Sequence, residues 1–574
     1  MKTATKSSPP LRGGRGPFVR ALPVLAALVL LAGCRENDPV IFSIYPHIGT
    51  LGEPVTILGS FFGAERGASY VTIAGSQPTG TAYLEWHDNR IRLRVPELGD
   101  AGLVFVHVGG RRSNGVLFAN RATMPAAAND GRAGLGPVAS SASPSAGAVG
   151  SLVTITGGGF GNSRGSGGVF FSRIPEAGAG SWASVPGFIE ASEDEFGYEL
   201  WSDREIRVRV PSGAASGYLE VRTARGRSPP LFFEVNGSPG SKTFADRRSF
   251  MFTYSVNIRA DSAQPPNTLH LWVPFPAASP AQTNAEMLFS SPEPFIKEYF
   301  GTSLYRLDNL VTGTAADVSV AWTVDVYGVR TSVRPQDVRP DAASPMREAH
   351  TRSCPRLPSD DPRMGSLAAS IVGGETNPYL RARRVYEWML GGNITWEQRS
   401  QGDVFTAKET GRADPFLGAL LYATLLRAAG VPARPVAGVL VGRDMRTANH
   451  HWAEFWIDGF GWIPADPAMG AAMAAGAGRG PVPPAFVPLP SDAFPDAYSE
   501  EGFDAAAFYF GNVDSGRIAF SRGFTDLSPL DPRGRTVTHV RSYALQTLWE
   551  EAIGGIESYS SLWGDIIITG MTAQ

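Results

Sequence analysis

The sequence predicts a multidomain chain in which all-β sandwiches lead into a C-terminal α+β core. Three observations predict it. Residues 38–236 hold an internal repeat of short strands punctuated by Gly and Pro. Residues 243–340 alternate apolar and polar side chains with period two. Residues 411–467 read as a buried helix, a strand and a hairpin in succession. Composition agrees: 574 residues, 43% hydrophobic and 18% charged, with 66 Gly and 45 Pro, suit a turn-rich chain long enough for several cores. With 51 Lys and Arg against 54 Asp and Glu, no overall field draws nucleic acid. Cys34 and Cys354 are the two cysteines, too few for a disulfide framework.

Residues 1–33 read as a signal peptide. Lys2, Lys6, Arg12, Arg15 and Arg20 form a basic start, and the apolar run from Ala21 to Gly33 is too short to span a bilayer comfortably. The run ends in Leu31-Ala32-Gly33-Cys34, which resembles a bacterial lipobox and implies a lipid on the Cys34 thiol. The expected location is the cell envelope, exported and lipid-anchored. Arg35 in place of Asp after the cysteine points to the outer membrane or cell surface if the host has an outer membrane.

The repeat is read by self-comparison. Val55, Thr56, Ile57, Gly59, Phe62 and Gly63 recur as Val153, Thr154, Ile155, Gly157, Phe160 and Gly161. Trp86, Ile91, Val106 and Phe118 recur as Trp201, Ile206, Val221 and Phe233 at a longer offset, so the second copy carries one insertion between Asn162 and Tyr198. The Val-Thr-Ile-x-Gly run, the Phe-Gly and the late Arg-Val-Pro resemble IPT/TIG immunoglobulin-like domains. The resemblance implies sandwiches at 38–120 and 137–236, joined by an Ala/Ser/Gly/Pro-rich linker at 121–136. Spacer and docking module are both open as their role.

In 243–340, Phe250, Phe252, Tyr254, Val256 and Ile258 alternate, as do Val318, Val320, Trp322, Val324 and Val326. This predicts a third β domain packed against the core. Residues 341–375 are polar and Pro-rich and read as loop, with Cys354 inside. Asn377 before Pro378 caps a helix ending near Gly391.

In 411–467, Asp414 is the N-cap and Pro415 the first residue of a helix running to Ala429, apolar nearly all round and therefore buried. A strand follows from Arg434 to Val441, then a hairpin. On its first strand His450, Trp452, Glu454 and Trp456 share one face, and His451, Ala453, Phe455 and Ile457 the other. The Leu-Leu-Arg-Ala-Ala-Gly-Val-Pro-Ala-Arg helix end, His450-x-Trp452-x-Glu454 and the Trp462-x-Pro464-x-Asp466-Pro467 ending resemble the transglutaminase-like superfamily, a papain-like thiol fold. The resemblance implies His450 as imidazole base, Asp466 as the carboxylate that orients it, and Trp452 and Glu454 beside a cleft. The family's nucleophilic Cys falls on Pro415. Proline supplies neither a nucleophilic atom nor a backbone N–H for an oxyanion, so His450 and Asp466 are left as a remnant dyad.

Residues 366–574 are assigned to this domain and its C-terminal extension. Residues 467–495 are expected as a mobile loop, Tyr543, Leu545, Leu548 and Trp549 on a helix, and Asp565 to Thr569 as a last strand. No cofactor and no metal site is expected, because His450 and His451 are strand neighbours pointing to opposite faces. The whole predicts a lipid-anchored rod, attached to the membrane through Cys34, with envelope proteins or peptides as partners. Two functions stay open: a non-catalytic domain that binds or scaffolds, and a working thiol peptidase or acyl-transferase with its nucleophile elsewhere. Cys354 is the one thiol to weigh for the second.

Overall fold

In the computed structural model the described residues are 38–45, 48–49, 51–98, 102–120, 136–174, 187–340, 343–442, 444–476 and 504–573. The signal segment, Cys34 and nearly all of the 121–136 linker lie outside them. The chain divides into two compact units, residues 1–129 and 130–574.

The first unit is a two-sheet sandwich. One sheet runs in the order Val40–Tyr45, Pro54–Ser60, Arg90–Arg94, Tyr83–His87. Val55, Ile57, Phe62, Ile91, Val106 and Phe118 form its buried centre. The second copy repeats the order with Val138–Ser143, Leu152–Gly158, Glu205–Arg209 and Tyr198–Trp201. It also repeats the small devices. The Trp86 indole N–H donates to the Phe62 carbonyl at 3.0 Å, and that of Trp201 to the Phe160 carbonyl at 3.2 Å. The recurring glycine has a packing cause: a Cβ at Gly59 would lie 2.0 Å from the Val40 carbonyl, and one at Gly157 1.9 Å from that of Val138. In the second copy the insertion follows β1 (Gly168–Arg173) and adds β2 (Phe188–Glu190), an edge strand paired with β1; the 3₁₀ turn at Glu193–Glu195 then matches the one at Gly80–Ala82 in the first copy.

The third domain is strands throughout 243–333, with a single 3₁₀ turn at Pro335–Asp337. The 35-residue β3 (Gly240–Pro274) pairs first with β4 (Ala315–Val333) and then with Thr302–Asp308. Its inward residues Phe250, Phe252, Tyr254, Val256 and Ile258 are the ones the alternation picked out.

Residues 341–375, expected as loop, contain two helices, α1 (Pro345–Thr351) and α2 (Pro362–Val372), each with a capping side chain before a proline: Ser344 and Asp361. Then come α3 (Pro378–Trp388), α4 (Val404–Thr410) and α5 (Pro415–Ala428). Every residue of α5 from Phe416 to Leu426 is buried. Its leucines pack on the Ala453, Phe455 and Ile457 face of the sheet. That antiparallel sheet runs β7 (Gly461–Ala465), β6 (Thr447–Ile457), β5 (Ala433–Val441), β8 (Arg517–Arg522).

The expected loop after Pro467 begins as a helix, α6 (Pro467–Gly476); residues 477–503 lie outside the described ones. The tail differs most. No helix carries Tyr543, Leu545, Leu548 and Trp549; the segment is irregular. Its apolar side chains enter three separate cores, which no single helix face could reach: Tyr543 and Trp549 the third domain's, Leu545 the α5 core, Leu548 a small cluster with Trp272. The last strands are β9 (Glu550–Trp563) and β10 (Ile567–Ala573), and both pair with β3. The chain end therefore completes the third domain's sheet, while β8 alone of the tail strands joins the core sheet.

Within residues 130–574 the second sandwich is not strung out ahead of the core, as a rod would have it, but packs on the core's hairpin. Trp456 and Trp462 are buried in the sandwich's own cluster with Val149 and Phe233. The Gly459 N–H donates to the Val149 carbonyl at 3.2 Å, and the Lys242 ammonium donates to the Trp462 and Phe460 carbonyls at 2.8 and 3.2 Å. Gly461, at φ +88°, sits where a Cβ would lie 2.2 Å from Ser212 Oγ. Gly461→Ala is expected to cost about 2–4 kcal/mol, from the left-handed backbone and the clash together. Adding Ser212→Gly should return only the clash part, read as a partial recovery of the urea midpoint.

Candidate functional site

The hairpin and the helix before it bring the named residues together. On β6 the two adjacent imidazoles face opposite ways. The ring of His451 meets Phe416, in the first turn of α5, at 5.1 Å between centroids, and His451 Nε2 donates to the Ser542 carbonyl at 3.1 Å. Burial, then the neighbouring His450, lowers the His451 pKa to about 3, so the ring is neutral. His450 turns the other way, and its Nε2 lies 2.7 Å from Asp466 Oδ2.

Asp466 is the hub. Arg517 Nη1 donates to the same Oδ2 at 2.9 Å, and Asp466 Oδ1 accepts the Met469 N–H at 3.0 Å, which caps the first turn of α6. Arg517 Nη2 in turn reaches Asp514 at 2.6 Å. Burial alone would raise the Asp466 carboxyl; the His450 imidazole and the Arg517 guanidinium outweigh it and hold the pKa below the ordinary range. His450 is 2% exposed and Asp466 0%. Trp452 stacks over His450 on one side and takes the Arg517 guanidinium at 5.0 Å.

Glu454, two residues further along the same face, is held by two arginines. Arg434 reaches Oε2 through Nε at 3.0 Å and Nη2 at 2.9 Å, and Arg522 binds Oε1. Burial pushes this carboxyl up, and Arg522 and Arg434 bring it below its usual value. Arg434 also lies 3.8 Å over the Trp462 ring. Trp452 and Glu454, which the resemblance placed beside a cleft, line a cavity and are at the same time tied into an ion-pair lattice.

Pro415 is the first residue of α5, as its sequence suggests. Ahead of it the buried Asp414 accepts the Leu417 N–H on Oδ1 at 2.9 Å and the Ser400 N–H on Oδ2 at 3.2 Å, and Arg541 from the tail pairs with that same Oδ2. The positive end of the helix dipole is thus met by the chain's own carboxylate. Cys354 lies at the other end. It is half-buried in a tight turn next to Arg352, whose carbonyl accepts from Arg427 at 2.8 Å. Phe416 and Arg427 are separated by roughly 16 Å of helix, at 1.5 Å per residue. No cluster of His, Cys, Asp or Glu among the described residues could hold a metal ion.

Sequence reading did not find Arg434, Arg517, Arg522, Asp514 or Arg541 as partners of this site. Glu454 sits four residues after His450 and so announces its strand face, but its arginines come from β5 and β8. Nothing in their local sequence shows which carboxylate they meet.

With the helix, the His450–Asp466 pair and the hairpin on the page, the family comparison is decisive: residues 365–467 match the transglutaminase-like superfamily. These residues form a transglutaminase-like domain. Residues 39–119 match the IPT/TIG domain family, and the second sandwich repeats that domain's strand order. A Haemophilus influenzae protein of uncharacterized function is 30% identical over 130 residues, covering 18% of this chain and 35% of its own. The chain thus spans about a third of the length of that curated relative. A candidate cysteine protease from Cytophaga hutchinsonii is similar at 14% identity and a TM-score of 0.34, over 58% of this chain and 92% of that one. A protein of a xyloglucan utilization locus in Bacteroides uniformis is similar at 11% identity and a TM-score of 0.16, over 52% and 100%. Neither structural likeness is strong enough to bear on what the transglutaminase-like domain does.

Proposed function

We propose that this is a lipid-anchored envelope protein whose transglutaminase-like domain is non-catalytic and serves protein or peptide binding or scaffolding. The observation that carries the reading is Pro415 at the first position of α5, where the superfamily's thiol would stand. It removes the nucleophile and one N–H that would bind an oxyanion, which together account for several orders of magnitude in a triad's rate. Two further observations support it. The His450–Asp466 pair is buried and tied to Arg517, so the imidazole has a structural partner on its carboxylate side. Cys354 stands at the far end of α5 from the first turn.

The test is a turnover assay of the chain beginning after Cys34, with glutamine donors, amines and peptides as substrates. The expected result is no turnover above the His450→Ala variant. Turnover abolished both by His450→Ala and by thiol alkylation would overturn the reading. For the anchor, Cys34→Ala should move the full chain from the membrane fraction to the soluble one; retention after that change would contradict lipid attachment at Cys34.

A further inference from the structure

The insertion that sets the second sandwich apart from the first forms one wall of a cavity of about 1080 Å³. The other walls come from the 275–283 loop of the third domain, from α1 and the Cys354 turn, and from the β5, β6 and β8 side of the transglutaminase-like domain. This volume is at the upper end for a small-molecule site, which runs to roughly 1,000 Å³, and has room for several residues of extended chain. It lies at the Arg427 end of α5, away from Pro415.

Its lining carries charges of both signs. At the α1–α5 end stand Arg352 and Arg427, and among the described residues neither has a carboxylate within ion-pair distance. Arg427 is held rigidly, with Nε on the Ala433 carbonyl at 2.8 Å and Nη1 on that of Arg352. Burial lowers its pKa to about 10, the mark of a cation that is desolvated without full compensation. His350, between them and Trp462, is kept neutral by burial and by Arg434 and Arg427. Across the cavity the second sandwich presents Asp194 and Glu195 together with Arg164 and Arg173. A uniformly anionic polymer would meet carboxylates as well as cations along this lining. A peptide carries carboxylate, amide and amine groups on one strand and meets both.

We propose that this cavity binds an extended peptide segment whose carboxylate is held by Arg427 and Arg352, with the insertion of the second sandwich closing the opposite wall. The planar Arg427 guanidinium, fixed by its own hydrogen bonds and with Arg352 nearby, suits a carboxylate. The assignment makes the second sandwich part of a binding site rather than a spacer. It holds whether or not the transglutaminase-like domain is catalytic, so its failure and that of the preceding reading are separable.

Cys354 lines the cavity and supplies the readout. In the full chain carrying Cys34→Ser it is the sole remaining thiol. Maleimide labelling of Cys354 is followed while an alanine pentapeptide with a central glutamate and free termini is added. The expected result is saturable protection, at least tenfold weaker in Arg352→Glu and in Arg427→Gln. Arg352 is exposed, so its variant keeps the test valid if Arg427→Gln fails to fold. Loss of protection on C-terminal amidation assigns the terminal carboxylate, and retention assigns the glutamate side chain; either outcome supports the site. Three results would overturn it: no protection, equal protection by an amidated all-alanine peptide, or unchanged affinity in Arg352→Glu. Protection by oligogalacturonate and not by the peptide would likewise overturn the peptide assignment.

Discussion

Asp466→Ala is expected to destabilise the transglutaminase-like domain by about 3–5 kcal/mol, the cost of breaking a buried ion pair from one side. The carboxylate is fully buried and satisfies three partners: His450, Arg517 and the Met469 N–H. Removing it takes one carboxylate from the Arg517 guanidinium, 3% exposed, and uncaps α6. Asp466→Asn keeps the cap acceptor and loses the charge, so it should cost less than Ala and still more than a surface change. The measurement is the urea midpoint of the unfolding of residues 130–574, followed by tryptophan fluorescence. The outcome also separates two views of the pair. Residues kept for chemistry are often neutral or stabilising to remove, because active sites hold unfavourable groups. Residues kept for structure are not. A stability equal to or above wild type for Asp466→Ala would contradict the structural role assigned to the pair.

The second large effect is acid lability between pH 6.5 and 3, with His451 as a main source. Its pKa is about 3 in the folded chain against 6.5 ordinarily. Over that window the unfolded chain takes up a proton that the folded one refuses, so stability falls as pH falls. The full span is worth roughly 5 kcal/mol at 1.36 kcal/mol per unit. The sign for the carboxylates is the same but their window is lower. Asp466, Asp514 and Glu454 have depressed folded pKa values, so what they contribute is present above their unfolded values near 4 and is lost only below. His350 and His270 are also lowered by burial and add to the upper window. His451→Gln, which can keep a donor towards the Ser542 carbonyl, should therefore flatten the stability profile between pH 6 and 4 by up to about 1.4 kcal/mol per pH unit, one proton's worth. The comparison is a set of urea midpoints for both chains at half-unit steps. Parallel profiles would mean that His451 does not resist protonation in the fold.

Much of this was legible because it is local. Asp414-Pro415 and Asn377-Pro378 name their helix starts. Ser344-Pro345 and Asp361-Pro362 carry the same signal, yet they sit in so polar a stretch that no apolar period supports it, and from sequence alone α1 and α2 read as loop. The alternation of Phe250, Phe252 and Tyr254 gave the inward face of β3 directly, since a strand's period is fixed by its own backbone. The repeat of Val55 and Ile57 at Val153 and Ile155 gave two sandwich centres.

What stayed hidden is long-range. Tyr543, Leu545, Leu548 and Trp549 are spaced closely enough to suggest a helix, and only the three cores they enter show why the segment is irregular. The return of β9 and β10 to β3, some 300 residues earlier in the chain, leaves no mark in either sequence. In the site, His450 and Asp466 were legible through the superfamily's motif. Arg517, which meets Asp466 across 51 residues, was not, because a strand-start arginine is ordinarily solvated. The insertion was visible as a change of offset, but its place in a cavity wall depends on how the sandwich docks on the hairpin.

With Pro415 at the start of α5, we propose that the transglutaminase-like domain forms no acyl-enzyme. The measurement is intact-mass spectrometry of the chain beginning after Cys34, incubated with a p-nitrophenyl ester as acyl donor and quenched in acid. The expected result is an unchanged mass, with no acyl increment on Cys354 beyond that seen in the urea-unfolded chain. A stoichiometric acyl adduct that forms only in the folded chain, and is lost in His450→Ala, would contradict it.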